Sequence, residues 1–415
     1  MKTIFKHIFF GMMILFSRSL CSQTVNTGDL YISAGTDIST LALLDNKSTG
    51  NLLNDGNLYI YNHYNNDGLI TFTSGSKSST TYMRGIYSYQ NISGSVPIEW
   101  YNVEFLNNTM QPAFHLSNEV SVAGVSNFKQ GIIDDDLYNG LLIFEKGANA
   151  INASDASHVD GFVQKSGDDA FQFPIGNNKK FRYNAVSSSN NKKNVFKSKY
   201  FLENSDLLYP HANKAKSITL IDNQEYWTIN SVNKDGSVLI TLTWDEDTTP
   251  SSIYSNPLDE LHVVRWDSSK KIWVDHGGAV NLGTKEVTTV ISSTDYGIFT
   301  LARVVDKDKT SCPNLVFYNA MSPNGDNKND YFRIDGLSNC SAENTLEIYN
   351  RWGVMVYETK NYGFNENVFR GYSEGRTTIA KKEFLPTGTY FYILYLKKYD
   401  SQKIEKKTGY LYLSR

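Results

Sequence analysis

The sequence predicts an all-β protein, on three observations. Short runs rich in Tyr, Val, Ile, Thr and Phe alternate with clusters of Asn, Gly, Asp and Ser, the pattern of strands joined by tight turns. Beyond residue 22, no long segment carries the i, i+3, i+4 apolar stripe of a surface helix. Turn chemistry recurs along the whole length, and 415 residues suffice for two or three domains. The expected order is an N-terminal β-solenoid-like region at 23–165, a central immunoglobulin-like β-sandwich at 166–304, a linker at 305–312 and a β-rich C-terminal unit at 313–415.

Residues 1–22 read as a signal peptide. Lys2 and Lys6 make a positive start, and an apolar run follows at 8–16. That run is too short for a membrane span, which needs about 20 residues. Leu20 precedes Cys21, where lipid attachment would want a small residue, so cleavage after Cys21 or Ser22 is expected. No later run reaches about 18 consecutive apolar residues, so no transmembrane segment is expected in the mature chain. The formal net charge is −3, and no basic stripe is present. That argues against nucleic acid as a partner.

In the first piece, Gly28-Asp29-Leu30-Tyr31-Ile32 recurs as Gly56-Asn57-Leu58-Tyr59-Ile60, with a looser echo at 139–144. Further strands are expected at 69–73, 98–106, 113–116 and 120–125. Strands at such spacing, with Asn/Gly/Asp turns, fit a solenoid whose rungs stack into one core; an irregular sandwich is the alternative. Asn and Asp tolerate left-handed backbone, which suits the Asn-rich stretch at 61–68. The many tyrosines are expected to pack on half-buried sheet faces, with a sugar- or protein-binding surface as the sharper alternative.

In the second piece, strands are expected at 225–229, 238–244, 261–266, 271–274, 287–291 and 298–302. In 238–244 the even positions are apolar and Thr241 and Thr243 are odd, which predicts one buried face and one wetter face. The turn Asp267-Ser268-Ser269-Lys270-Lys271 separates two Trp-bearing runs, so a hairpin is expected. Trp227, Trp244, Trp266 and Trp273 are expected in the core. About seven such strands suggest the immunoglobulin-like arrangement. The segment 187–193 is polar and reads as a loop. The linker, Asp306-Lys307-Asp308-Lys309-Thr310-Ser311, is short and charged.

The third piece carries ordered blocks. It has Ser322-Pro323-Asn324-Gly325-Asp326-Asn327-Lys328-Asn329-Asp330, then Asn350-Arg351-Trp352-Gly353, then Pro386-Thr387-Gly388-Thr389-Tyr390 and finally Gly409-Tyr410-Leu411-Tyr412. The first block is turn chemistry, with Gly325 free to take positive φ. Arg351-Trp352-Gly353 falls at a hairpin tip, and 390–396 is apolar on both faces, as a central strand should be. These blocks resemble the gliding-motility-associated C-terminal domain, the type B sorting domain of type IX secretion, over about residues 313–415. The resemblance implies a small β-sandwich recognised by the outer-membrane secretion machinery, with a PorP/SprF-type outer-membrane protein as a partner. It implies release from the cell or retention on its surface. The family pattern has Gly where this chain has Asn327. Two blocks at 158–165 and 171–176 resemble a junction in surface proteins with the same sorting domain and imply no chemistry.

The search for chemistry is short. No HExxH helix, G-x-S-x-G elbow or phosphate-binding Gly loop is present. No cofactor is expected. Asp326, Asn327, Asn329 and Asp330 have oxygen side chains that suit a hard cation, but no bidentate Glu closes an EF-hand, so an Asx-rich turn is the plainer reading. Asp155, His158 and Asp160 are a weak metal or acid/base candidate, and Asp134-Asp135-Asp136 reads as a solvated turn. Cys312 and Cys340 are a candidate disulfide in an oxidising compartment, worth roughly 3–4 kcal/mol by loop entropy if formed; two packed thiols are the alternative. Two function classes stand: a non-catalytic surface or secreted protein (adhesin, matrix or binding module for a polysaccharide or protein ligand), and a secreted polysaccharide-degrading enzyme with its site on the solenoid.

Overall fold

The computed structural model describes residues 23–233, 236–255, 257–293, 295–305, 315–326, 328–337, 341, 343–373, 384–397 and 404–414. The segment 1–22 expected to be a signal peptide, residues 306–312 of the expected linker, Asn327, Cys312 and Cys340 lie outside the described residues. The fold is all-β, with strands over half the chain and helix confined to a few percent, such as Ser251–Tyr254.

From Gln23 the chain coils through about six turns of a β-solenoid. Each turn gives one strand to each of three parallel sheets. The first turn is Gln23–Asn26, Asp29–Ile32 and Asp37–Thr40; the second, Leu43–Asn46, Asn51–Asn54 and Asn57–Ile60, stacks on it in register. One inward column runs Leu30, Leu52, Ile70, Ile98, Val120, Leu142, Val163. Each rung is too thin to bury its own apolar face, and the column completes it with the rung below. Trp100, Phe105, Phe114 and Phe128 fill the interior with edge-on and tilted ring contacts. The sequence echo has a different phase from the coil. Asp29–Ile32 and Asn57–Ile60 belong to different sheets, because the first turns take about 20 to 22 residues, as the ladder pairs Asn46–Asn66 and Asp29–Asn51 show.

The strand Val163–Ser166 is the last parallel member of its sheet and pairs on its other edge, antiparallel, with Val195–Phe201. The same sheet then continues through Tyr226–Ser231, Gly297–Val304, Leu261–Asp267 and Ile272–Asp275. A second sheet holds Phe171–Gln172, Asn184–Val186, Ile240–Thr243, Glu286–Thr288 and Ala279–Asn281. One hydrophobic cluster spans from Ile32 to Leu301, crossing residue 165 without a break. The hairpin expected at 267–271 forms, with Trp266 opposite Trp273. All four tryptophans named above are buried. The wetter face expected for 238–244 is absent: Thr241 and Thr243 are buried, Thr241 Oγ1 shares a 2.8 Å hydrogen bond with Thr288, and Thr243 Oγ1 donates to Tyr183 O at 2.9 Å. Hydroxyl pairing lets these residues sit in a covered layer.

The C-terminal region has its own core. Its sheet runs Ala320–Met321, Ile404–Leu413, Gly388–Lys397, Glu343–Asn350, Met355–Lys360, with Gly388–Lys397 in the middle. A ribbon of Val316–Phe317 and Ile334–Asp335 lies over it, and Phe317 and Phe332 pack on Tyr392 with ring centroids 5.2 and 4.8 Å away.

Candidate functional site

The Asn350–Gly353 turn joins Glu343–Asn350 to Met355–Lys360. Asn350 builds it: its Oδ1 accepts from the N–H of Trp352 and of Val354, both at 3.0 Å, and its carbonyl accepts from Gly353 N–H at 3.0 Å. Gly353 has φ +70°, where a Cβ is penalised. Arg351 lays its guanidinium 4.4 Å from the Trp352 ring centroid, and no carboxylate pairs with it among the described residues. Trp352 is 37% exposed and is not a member of the domain core.

The turn is held against the central module. Ser188 donates to Trp352 O through its N–H at 3.1 Å and its hydroxyl at 3.5 Å. A Cβ on Gly353 would stand 2.4 Å from Ser187 Cβ and 3.3 Å from Leu239 Cδ1. Ser187 is itself fixed, since its N–H donates to Leu239 O at 3.0 Å and its Oγ accepts from Leu239 N–H at 2.9 Å. Nearby, Lys406 Nζ donates to Val290 O at 2.7 Å, and burial holds this lysine below its ordinary pKa.

A cleft of about 570 Å³ opens beside these contacts. Asn350, Arg351, Trp352, Pro386, Gly388 and Tyr390 line it from one side, and Asn281, Thr284 and Glu286 from the other. Two separated sequence blocks thus meet here. Tyr390 Oη donates to Pro386 O at 2.8 Å, which closes the loop before the central strand. Glu286 accepts from Tyr183 Oη at 2.8 Å and from Thr284 Oγ1 at 2.5 Å. Burial and Glu286 push the Tyr183 hydroxyl well above its usual pKa, and Arg351 partly opposes that shift. Sequence reading missed the partners Ser187, Ser188 and Leu239; a polar loop carries no mark of what docks on it.

The Ser322–Asp330 block lies elsewhere, with none of its described residues lining the cleft. Its oxygens serve the turn. Asp330 Oδ1 accepts from Gly325 N–H at 2.8 Å, Asp326 Oδ1 from Lys328 N–H at 2.8 Å, Asn324 Oδ1 from Asp326 N–H at 3.1 Å, and Asn329 O from Ser322 N–H at 2.8 Å. Gly325 takes φ +81° and Asn329 φ 55°. Pro323 packs beside Gly371. Among the described residues no group of three or more His, Cys, Asp or Glu converges as metal ligands do.

The weaker candidates resolve into packing. His158 is buried, its Nδ1 is 2.9 Å from Ser154 O, and burial lowers its pKa; Asp155 instead accepts from Phe181 N–H at 2.7 Å. Asp134 and Asp135 are buried rather than solvated, and Asp136 alone is exposed, paired with Lys199 at 2.7 Å. The turn closes over them because Asp135 Oδ1 accepts from Phe162 N–H at 3.0 Å and Asp134 Oδ1 from Leu137 N–H at 3.0 Å. A sealed network not apparent from sequence joins Glu225 to Arg182, Tyr200 and Thr249; burial raises the Glu225 pKa. On one solenoid face Tyr89, His115 and Tyr138 stack, with centroids 4.2 and 4.1 Å apart. The His115 ring is thereby held between the two tyrosine rings.

Residues 315–413 match the family model of the CHU_C Type IX secretion signal domain. No curated protein and no solved structure matches the chain.

Proposed function

We propose that this chain is a cargo of type IX secretion, carried across the outer membrane by its C-terminal domain to the cell surface or the medium. There it acts as a non-catalytic adhesin, matrix component or binding module. The observation that carries the export reading is the match over 315–413, on a region that folds around its own core. Its partner is the outer-membrane secretion machinery, with a PorP/SprF-type protein receiving the cargo. The non-catalytic reading is supported by the solenoid faces, where Asn, Asp and aromatic side chains are engaged with the neighbouring rung. A ladder of this kind makes a stiff presenting surface, suited to a polysaccharide or protein ligand.

The export test compares the full chain with one ending at Val305, in type IX-competent and secretion-deficient cells. Full chain outside competent cells only, with the shortened chain in the periplasm, is the expected result. Equal export of both chains would refute the reading. For the second half, purified chain is incubated with surface polysaccharides. Retention without new reducing ends or unsaturated products is expected; product release would establish the enzyme instead.

A further inference from the structure

The backbone of the Asn350–Gly353 turn is already engaged: Trp352 O is occupied by Ser188 and Gly353 abuts Ser187, while the Arg351 and Trp352 side chains stay exposed with the ring under the guanidinium. Another surface of the same domain lies open. Along 331–335, Phe332 and Ile334 point into the core, while Tyr331, Arg333 and Asp335 point out, the alternation of a half-buried strand. Neighbouring segments extend that outer side. Tyr318 N–H donates to Arg333 O at 3.0 Å, and the Arg333 guanidinium lies 4.7 Å from the Tyr318 ring centroid. Phe332 N–H donates to Phe369 O at 3.0 Å, which sets Arg370 beside Tyr331, 5.6 Å from its ring centroid. Tyr372 follows two residues later and is exposed as well. None of these five Tyr and Arg residues lines the inter-module cleft.

Exposed Tyr and Arg in one patch is the composition of a protein interface centre, where both are enriched. Charge narrows the occupant. Arg333 is already neutralised by Asp335 through two hydrogen bonds of 2.7 Å. Arg370 has a ring contact and, among the described residues, no ion pair. Its planar fork remains available for a carboxylate, which it binds bidentately.

Resting on the export reading above, we infer that the secretion machinery grips the domain by this Tyr331–Arg370–Tyr372 face and not by the Arg351–Trp352–Gly353 turn. The partner is a protein surface that supplies a carboxylate to Arg370 and an apolar or aromatic side chain over the two tyrosines. The test uses the full chain in type IX-competent cells, with the melting temperature of each purified variant measured alongside. R370E is expected to cut the exported fraction at least tenfold with melting unchanged, and R351A to export within twofold of the unsubstituted chain. R370K, which keeps the charge and loses the fork, falls between. Should R370E melt lower, R370Q removes the charge without reversing it and decides in its place. Normal export of a folded Arg370 variant overturns the inference, as does a stable R351A chain that stays in the periplasm. Either result leaves the export reading intact, because that reading stands or falls on the chain ending at Val305.

Discussion

At the scale of single residues, the turn motif divides into unlike roles. Gly353 carries a positive φ and a neighbour 2.4 Å from where a Cβ would stand. Gly353→Ala should therefore lose about 1–2 kcal/mol from backbone strain, plus the contact with Ser187. Trp352 is 37% exposed, so Trp352→Ala should cost well under the roughly 3–5 kcal/mol of a buried aromatic. Arg351→Ala removes no ion pair among the described residues and should stay within about 0.5 kcal/mol. Denaturant unfolding of the three variants checks this order, and an Arg351 variant as damaged as Gly353→Ala would contradict it. Asp135 offers a pH test. Burial raises its pKa well above the ordinary value, so the folded state keeps a proton that the unfolded state has released. The stability linked to that proton is full below about pH 4 and is lost as pH rises towards the folded value. Asp135→Asn cannot ionise, so its melting temperature relative to the unsubstituted chain should climb between about pH 4 and pH 7. Parallel pH profiles would show that Asp135 does not titrate this way. Residue roles were the least legible part of the sequence. Gly325 and Gly353 could be read from turn chemistry, whereas burial of Asp135 depends on a Phe162 N–H many residues away.

At the scale of elements, strand type and rough position were legible because period-2 patterning and Asn/Gly/Asp turns are local signals. The breaks at Tyr101 and at Ala123 and Gly124, where the chain turns a solenoid corner between Ile98–Trp100 and Asn102–Leu106 and between Glu119–Val122 and Val125–Gln130, were not. A corner keeps the apolar alternation going and looks like one long strand. The coil's phase was hidden too, since stacking tolerates unequal turns and the Gly28 and Gly56 blocks landed on different faces. The ladders that hold the turns together are testable. Asn46 is fully buried; it accepts from Asn26 Nδ2 and donates to Asn66 Oδ1, each at 2.8 Å, and to Leu69 O at 3.1 Å. Asn46→Ala strands buried polar groups and should cost roughly 2–4 kcal/mol. Asn51 donates to Asp29 in the same fashion, at 2.8 Å, but in solvent, so Asn51→Ala should cost less than about 0.5 kcal/mol. Equal losses at the two sites would mean that burial is not what gives the ladder its strength.

At the scale of the molecule, one shared core matters more than three pieces. One cluster runs through the solenoid and the central module, a smaller one within the central module holds Trp266 and Trp273, and a separate one fills the C-terminal region. Calorimetry should show two transitions, a large one for residues 23–305 and a small one for the C-terminal region. A third, separate solenoid transition would contradict the shared core. No composition shift at 165 betrays that sharing, because Val163–Ser166 pairs as well with an antiparallel neighbour as with a parallel one. Lys165 helps to close that end of the solenoid: it is buried with its ammonium bound to Glu145 O, Ser166 O and Asp169 Oδ1 at 2.8 to 2.9 Å.

The seat of Gly353 on Ser187 has a consequence for genetics. A screen for export-defective alleles would gather lesions in the glycine and in Ser187 or Leu239 alike, although the latter two lie far outside the matched segment. Such alleles would map to the passenger and still behave as signal mutants. Because Ser187 is the nearest obstruction, Ser187→Gly is the natural partial intragenic suppressor of Gly353→Ala: it removes the Cβ and Oγ the new methyl would strike, leaves the backbone bond from Ser188 in place, and leaves the strain of the positive φ. Allele-specific rescue of that pair, with no rescue of Arg370→Glu, would distinguish a docking defect from a recognition defect by inheritance alone.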